Sequence, residues 1–226
     1  MKREAGALRD PERARFLQRF FRTGPGEYAE GDRLLGLTVP DQRAIARAYR
    51  ALPLGEIEKL LLSPFHEHRL IALLILVDQQ KRASGEGKRE RHEFYLCHLD
   101  RVNHWDLVDI SAAALVGVDP RQGLRQELCA SPDVWHRRIA IVSTFAELRA
   151  GRTQATFEVA EALLGDRHDL IHKATGWLLR EAGKRSPEEL AEFLRRCYAQ
   201  MPRTTLRYAI ERMDPAERRK WLAGPQ

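Results

Sequence analysis

The sequence predicts an all-α fold, a solenoid of stacked antiparallel helix pairs with a concave basic groove, and three observations carry that expectation. Its 226 residues are 43% hydrophobic, enough for a sizeable core, and are rich in the helix formers Leu, Ala, Arg and Glu. The 11 prolines and 15 glycines gather at the edges of apolar segments rather than inside them. A weak internal repeat runs through the second half of each predicted helix pair, and no alternating strand pattern competes with it.

Residues 1–10 read as a flexible tail, and residues 11–226 as a single repeat domain. Pro11 opens a first helix with Phe16, Leu17, Phe20 and Phe21 on one side. The glycine-rich stretch 23–36, TGPGEYAEGDRLLG, lacks the Gly-Lys-Ser/Thr ending of a phosphate-binding loop, and its own acids repel phosphate, so it reads as a turn. From Pro40 onward, breaks fall at Pro53, Pro64, residues 84–88, Pro120, Pro132, Gly151, Gly165, Pro187 and Pro202.

Aligning the second helix of each pair sets HRLIALLIL from His68 beside HWDLVDISA from His104, HRRIAIVST from His136, HKATGWLLR from His172 and TLRYAIERM from Thr205. Small residues recur at Ala72, Ala140, Gly176 and Ala209, and with Asp109 placed in the same column the steps are 37, 31, 36 and 33 residues. That is the unit length of stacked helical repeats of the HEAT type, whose inner surface is lined by one helix of each pair. A carboxylate in a small-residue column reads equally as an internal hydrogen-bonding group and as a functional one.

The formal charge of +6 and a pI near 9.5 fit a polyanionic partner without requiring one. Three dispersed cysteines, Cys97, Cys129 and Cys197, lack zinc-site spacing and read as buried thiols in a reducing compartment. With no signal-like apolar run, the expected localisation is cytoplasmic. The His66/His68 and His168/His172 pairs lack a nearby third ligand, so neither a metal nor another cofactor is expected.

Trp105 and Asp109 are one helical turn apart on one face, with Leu107, Ile110, Ala114 and Leu115 expected to pack inward beneath them. Lys173, Trp177, Arg180 and Lys184 form a basic stripe opposite Ile171, Ala174, Leu178 and Ala182. It is either a solvated face or a phosphate track. Arg137, Arg138, Arg203 and Arg207 extend the basic row, with Arg138 the leading phosphate clamp. The one candidate catalytic group left is a carboxylate, since no serine or cysteine pairs with a base.

Four segments, LLGLTVPDQR (34–43), HWDLVD (104–109), VWHRRIAI (134–141) and HKATGWLLREAGK (172–184), resemble the AlkD-like family of DNA alkylation repair glycosylases. The similarity runs from about Phe20 to Arg212. It implies that Trp105, Asp109, Arg138 and Trp177 match the family's active-site Trp, Asp, Arg and Trp, and that Tyr28 is the nearest counterpart of its N-terminal Tyr. The implied activity is excision of N3- or N7-alkylated purines, such as 3-methyladenine and 7-methylguanine, from duplex DNA without flipping the base. The expected partner is double-stranded DNA with alkylated bases, with no membrane or metal partner, and a monomer is expected. The alternative reading on the same scaffold is a non-catalytic binder of damaged or branched DNA; a third is a protein-interaction solenoid.

Overall fold

A computed structural model describes residues 1–117 and 123–224, so the break expected at Pro120 lies outside the described residues. Among them are fifteen α-helices, two short 3-10 turns (Leu99–Arg101 and Tyr198–Gln200), and no strand beyond one isolated bridge between Arg33 and Phe65. The all-α expectation holds. Contacts divide the chain into two compact units, Met1–Leu115 and Val116–Gln226, each described by itself.

The first unit holds α1 (Lys2–Ala7), α2 (Pro11–Phe21), α3 (Val39–Ala48), α4 (Leu54–Leu61), α5 (His66–Arg82), α6 (Gly85–Cys97) and α7 (Trp105–Leu115). Where a tail was expected, α1 forms and buries Ala5 completely. Pro11 sits in the first turn of α2 and the Asp10 carboxylate accepts from the N–H groups of Glu12 and Arg13, as a helix start requires. α5 is the hub and packs on α3, α4, α6 and α7. Every residue from His66 to Leu73 is buried, which is the signature of a helix covered on all sides.

The loop 23–36 is a turn, as read. The Glu27 and Glu30 carboxylates accept from the backbone N–H groups of Gly24 and Gly26, so the donors a phosphate would seek are already occupied. The loop then passes directly over the start of α2. Asp10 N–H donates to the Leu35 carbonyl and the Arg13 guanidinium to the Gly36 carbonyl. Gly36 has φ +86°, and a Cβ there would stand 2.1 Å from the Asp10 carbonyl oxygen, so this seam accepts only glycine. Beneath it the buried Glu67 carboxylate accepts from Leu35 N–H and Gly36 N–H.

α2 departs from expectation. Leu17 and Phe21 are half-buried, but Phe16 and Phe20 are 68% and 57% exposed. Each exposed ring forgoes about 1.5–3 kcal/mol that full burial contributes.

The second unit holds α8 (Leu124–Ala130), α9 (Val134–Ser143), α10 (Phe145–Arg149), α11 (Gln154–Ala162), α12 (Asp169–Gly183), α13 (Pro187–Cys197), α14 (Arg203–Ala209) and α15 (Pro215–Ala223). Here α12 is the hub, flanked by α9 and α14 and backed by α11 and α13. Its approach to α14 is very close: a Cβ on Gly176 would lie 2.5 Å from both the Thr205 carbonyl oxygen and Tyr208 Cβ.

The five aligned segments fall on α5, α7, α9, α12 and α14, and the structure explains their shared start. The His68 and His136 rings each hydrogen-bond the serine five residues back, Ser63 and Ser131, while His172 bonds the Asp166 carbonyl; each ring ties the entry loop to its helix. Arg69 and Arg137, the residues that follow, each donate to the carbonyl of that same serine.

Counting from the shared His or Thr corrects the column. Its members are Ala72, Val108, Ala140, Gly176 and Ala209, all buried. Asp109 stands one place on and is half-buried, because the column faces a packed neighbour and admits no carboxylate. Its register partners are Leu73, Ile141, Trp177 and Ile210.

The cysteine expectation is also corrected: Cys97 is exposed, Cys129 intermediate and Cys197 buried, all as free thiols. Burial raises the Cys129 thiol to about 11. No helix among the described residues is long and apolar enough to cross a membrane.

Candidate nucleic-acid interface and its carboxylate

The candidate residues divide between the units: Tyr28, Trp105 and Asp109 in the first, and Arg137, Arg138, Lys173, Trp177, Arg180, Lys184, Arg203 and Arg207 in the second.

In the first unit, Trp105 opens α7 and Asp109 follows one turn later, both half-buried. The inward face below them is Leu107, Val108, Ser111, Ala112 and Leu115. Ile110 and Ala114, expected inside, are only half-buried, since the helix turns its small residues and Val108 toward its neighbours. Burial pushes the Tyr95 phenol well above its usual value. Its 2.9 Å bond with Ser111 opposes the rise and the Asp109 charge adds to it, so that charge is felt inside the unit.

Around Trp105 stands an aromatic cluster that only the structure reveals. Phe20 meets it edge-on at 6.2 Å, Phe21 lies at 5.8 Å and the His104 ring at 5.4 Å. Tyr28 joins the cluster through His104, 5.5 Å between rings. Tyr28 and Trp105 are therefore brought to one neighbourhood from residues far apart in sequence.

Beneath the cluster runs a buried ionic chain. Arg69 donates to both Asp32 oxygens at 2.6 and 2.7 Å; His66 reaches Asp32 through Nδ1 at 3.1 Å and Asp106 through Nε2 at 2.8 Å; His104 Nδ1 donates to Asp106 at 2.6 Å. Both His66 nitrogens face carboxylates, so both carry protons and the ring is cationic. Burial opposes that charge, but Asp106 and Asp32 outweigh it and raise the ring to about 9. Burial likewise opposes ionisation of Asp106 and Asp32, yet His66, with His104 or Arg69, holds both below the usual carboxylate range. His104 is held down by burial despite Asp106.

His66, His104 and Asp106 offer ligand atoms within 4.8 Å of one another, a third partner that sequence spacing did not reveal for His66. Their hydrogen bonds tie the start of α5 to the start of α7.

In the second unit, Arg137 is committed to structure. It bonds Asp166 at 2.5 Å and the carbonyls of Ser131 and Pro132, repeating the place of Arg69. Arg138 takes the place Leu70 has in the first unit. The residue is 6% exposed, and its guanidinium donates to the Leu170 carbonyl at 2.6 Å. Trp177 is half-buried with its ring 5.7 Å from Phe145, and Ile171, Ala174, Leu178 and Ala182 are buried behind it as expected.

The basic stripe is laced with acids: Lys173 pairs with Asp169 at 2.6 Å, Lys184 with Glu181 at 2.7 Å, and Arg180 with Glu181 and Glu211. Arg203 is exposed, bonding the Tyr198 hydroxyl and the Leu222 carbonyl; Arg207 is exposed.

The protein is all-α, with its tryptophans, the Asp109 carboxylate and the candidate arginines carried on helices. The chain belongs to the DNA alkylation repair enzyme family, which matches it over residues 1–213. Among solved structures it is similar to a chain described as "Predicted DNA alkylation repair enzyme from Enterococcus faecalis", with a TM-score of 0.71 and 16% identity over 92% of this chain and 98% of that one. That likeness establishes the fold. No curated protein matches the chain. Family membership makes it an enzyme of DNA repair, with DNA as its partner.

Proposed function

We propose that the chain is a DNA glycosylase that hydrolyses the N-glycosidic bond of N3- and N7-alkylated purines in duplex DNA, in the base excision route. The observation that carries this reading is the Trp105–Asp109 pair, one turn apart and half-buried on α7, in a chain of the alkylation repair family.

An alkylated N3 or N7 purine is already cationic. As the bond from C1′ breaks, its electron pair neutralises the purine, so no acid need protonate the leaving group. Water then adds to C1′ and yields its proton to Asp109 and solvent. Where other glycosidic cleavages use two carboxylates, one suffices. Asp109 stabilises the oxocarbenium-like sugar and orients the water. Trp105 and Trp177 hold the deoxyribose with their faces, whose π clouds also favour the growing positive charge.

Arg138 is assigned the neighbouring phosphate, its guanidinium steadied by the Leu170 carbonyl. Arg137, bound to its own loop, serves the frame. Lys173, Arg180, Lys184, Arg203, Arg207 and Tyr28 are assigned the flanking backbone. The lesion stays stacked, and selectivity comes from the weakness of the cationic bond. The enzyme acts as a cytoplasmic monomer without a metal.

The test is release of 7-methylguanine or 3-methyladenine from methylated duplex DNA, with Asp109→Asn alongside. Release by the wild type, and binding without release by the variant, is the expected outcome. A wild type that binds and never releases overturns the reading in favour of a non-catalytic binder.

A further inference from the structure

α2 is an unusual helix for the edge of a unit. Among its eleven residues only Ala14 is buried. It is held at its inner end by the backbone bond from Asp10 N–H to the Leu35 carbonyl and by the Arg13 guanidinium bond to the Gly36 carbonyl. Toward its far end, Leu17 and Phe21 turn half-inward, and Phe21 stacks on the His66 ring at 5.0 Å. Phe16 and Phe20 are left outside, one turn apart, each preceded by an exposed arginine, Arg15 and Arg19. The Phe20 ring touches Trp105 edge to face, so this strip is continuous with the residue that opens α7.

We propose that the Phe16–Phe20 face of α2 is a docking surface for duplex DNA, the two rings wedging against sugar and base edges in the minor groove while Arg15 and Arg19 meet the flanking phosphates. The inference rests on the reading of Trp105 and Asp109 as DNA-facing and extends that interface onto a helix outside the aligned repeat.

Three features select this occupant. The strip interleaves rings with guanidinium groups, complementary to a polymer that presents apolar edges between rows of anions. Four residues of helix advance about 6 Å, close to two base-pair steps of about 3.4 Å. The outward apolar strip is only two rings wide, because Leu17 and Phe21 face inward, which suits a groove better than a lipid surface that receives the whole apolar side of a helix. A protein partner needs roughly 800 Å² on each side, more than two rings supply.

The experiment compares wild type, Phe16→Ala/Phe20→Ala and Arg15→Gln/Arg19→Gln for binding to methylated and unmethylated duplexes across a salt series. Thermal melting checks the fold, and vesicles of phosphatidylserine and phosphatidylcholine serve as competitor. The expected result is at least a tenfold loss of duplex affinity in the phenylalanine variant with the salt slope unchanged. The arginine variant should show a slope shallower by about two. Unchanged affinity in both folded variants overturns the proposal, as does preferential binding to vesicles. Base release by wild type is read in the same samples. Release with unaffected variants removes the docking surface and leaves the glycosylase reading, whereas α2-dependent binding without release does the reverse.

Discussion

The two units are both built of α-helices but differ in what fills their interiors. The first places charges inside: Asp32, His66, Arg69, Asp106 and Glu67 all lie beneath the surface and tie the loop 23–36 to α5 and α7. The second has one pair drawn inward, Arg137–Asp166, carries others such as Lys173–Asp169 and Lys184–Glu181 nearer the surface, and closes its centre through small residues, Ala140, Gly176 and Ala209. An ionic interior fixes geometry but answers to pH; a small-residue interior answers to volume. Trp105 and Asp109 lie in the first unit, and Arg138 and Trp177 in the second.

The largest effect should come from Asp109→Asn, with base release slowed on the order of a thousandfold and duplex binding retained, measured in single turnover. Next is His66→Asn, which removes the cation between Asp32 and Asp106 and leaves Asp32 to Arg69 and Asp106 to His104 alone. We expect about 3–5 kcal/mol of destabilisation in denaturant unfolding, and a marginal change would show that the ionic chain is not what supports the first unit. Gly176→Ala tests the second unit by volume alone. Its Cβ meets backbone at 2.5 Å, and a loss of about 1–3 kcal/mol should appear with no change in pH dependence.

The pH response separates the units without a mutation. His66 is raised from 6.5 to about 9, so its contribution is complete below about pH 6.5 and fades as pH rises through 9. Asp32 and Asp106, held low, contribute above their ordinary range and fail only in strong acid. Thermal melts from pH 6.5 to 9.5 should therefore decline in the wild type and flatten in His66→Asn. Smallest is Lys173→Ala: its exposed pair with Asp169 gives less than about 1 kcal/mol, yet the variant should lower the salt slope of DNA binding by about one if Lys173 meets a phosphate.

Much of the fold was legible because its signals are local. Proline and glycine punctuation placed the loops around Pro53, Pro64, Pro132, Gly151 and Gly165, and the recurring histidine marked the second helices. The Asp109 column failed by one residue, since a weak repeat fixes register no better than that; burial then assigned the column to Val108. Arg137 and Arg138 were indistinguishable as adjacent cations until the Ser131 and Asp166 bonds gave Arg137 the task that Arg69 has. The chain Asp32–His66–Asp106 was invisible because its members are more than thirty residues apart, though His66 in HEHRL, His104 and Asp106 in HWDLVD and Asp32 in the preceding loop were a usable hint. The exposure of Phe16 and Phe20 was hidden too, because periodicity shows that a helix has an apolar side and not whether anything covers it.

The seam at Gly36 has an evolutionary corollary. α2 is hung from the unit largely by backbone atoms and an arginine near its first turn, so the identity of its outer side chains has little bearing on whether it is held in place. A sequence can therefore redraw that outer face residue by residue, trading rings for other groups and changing what the surface greets, while the attachment beneath it stays constant.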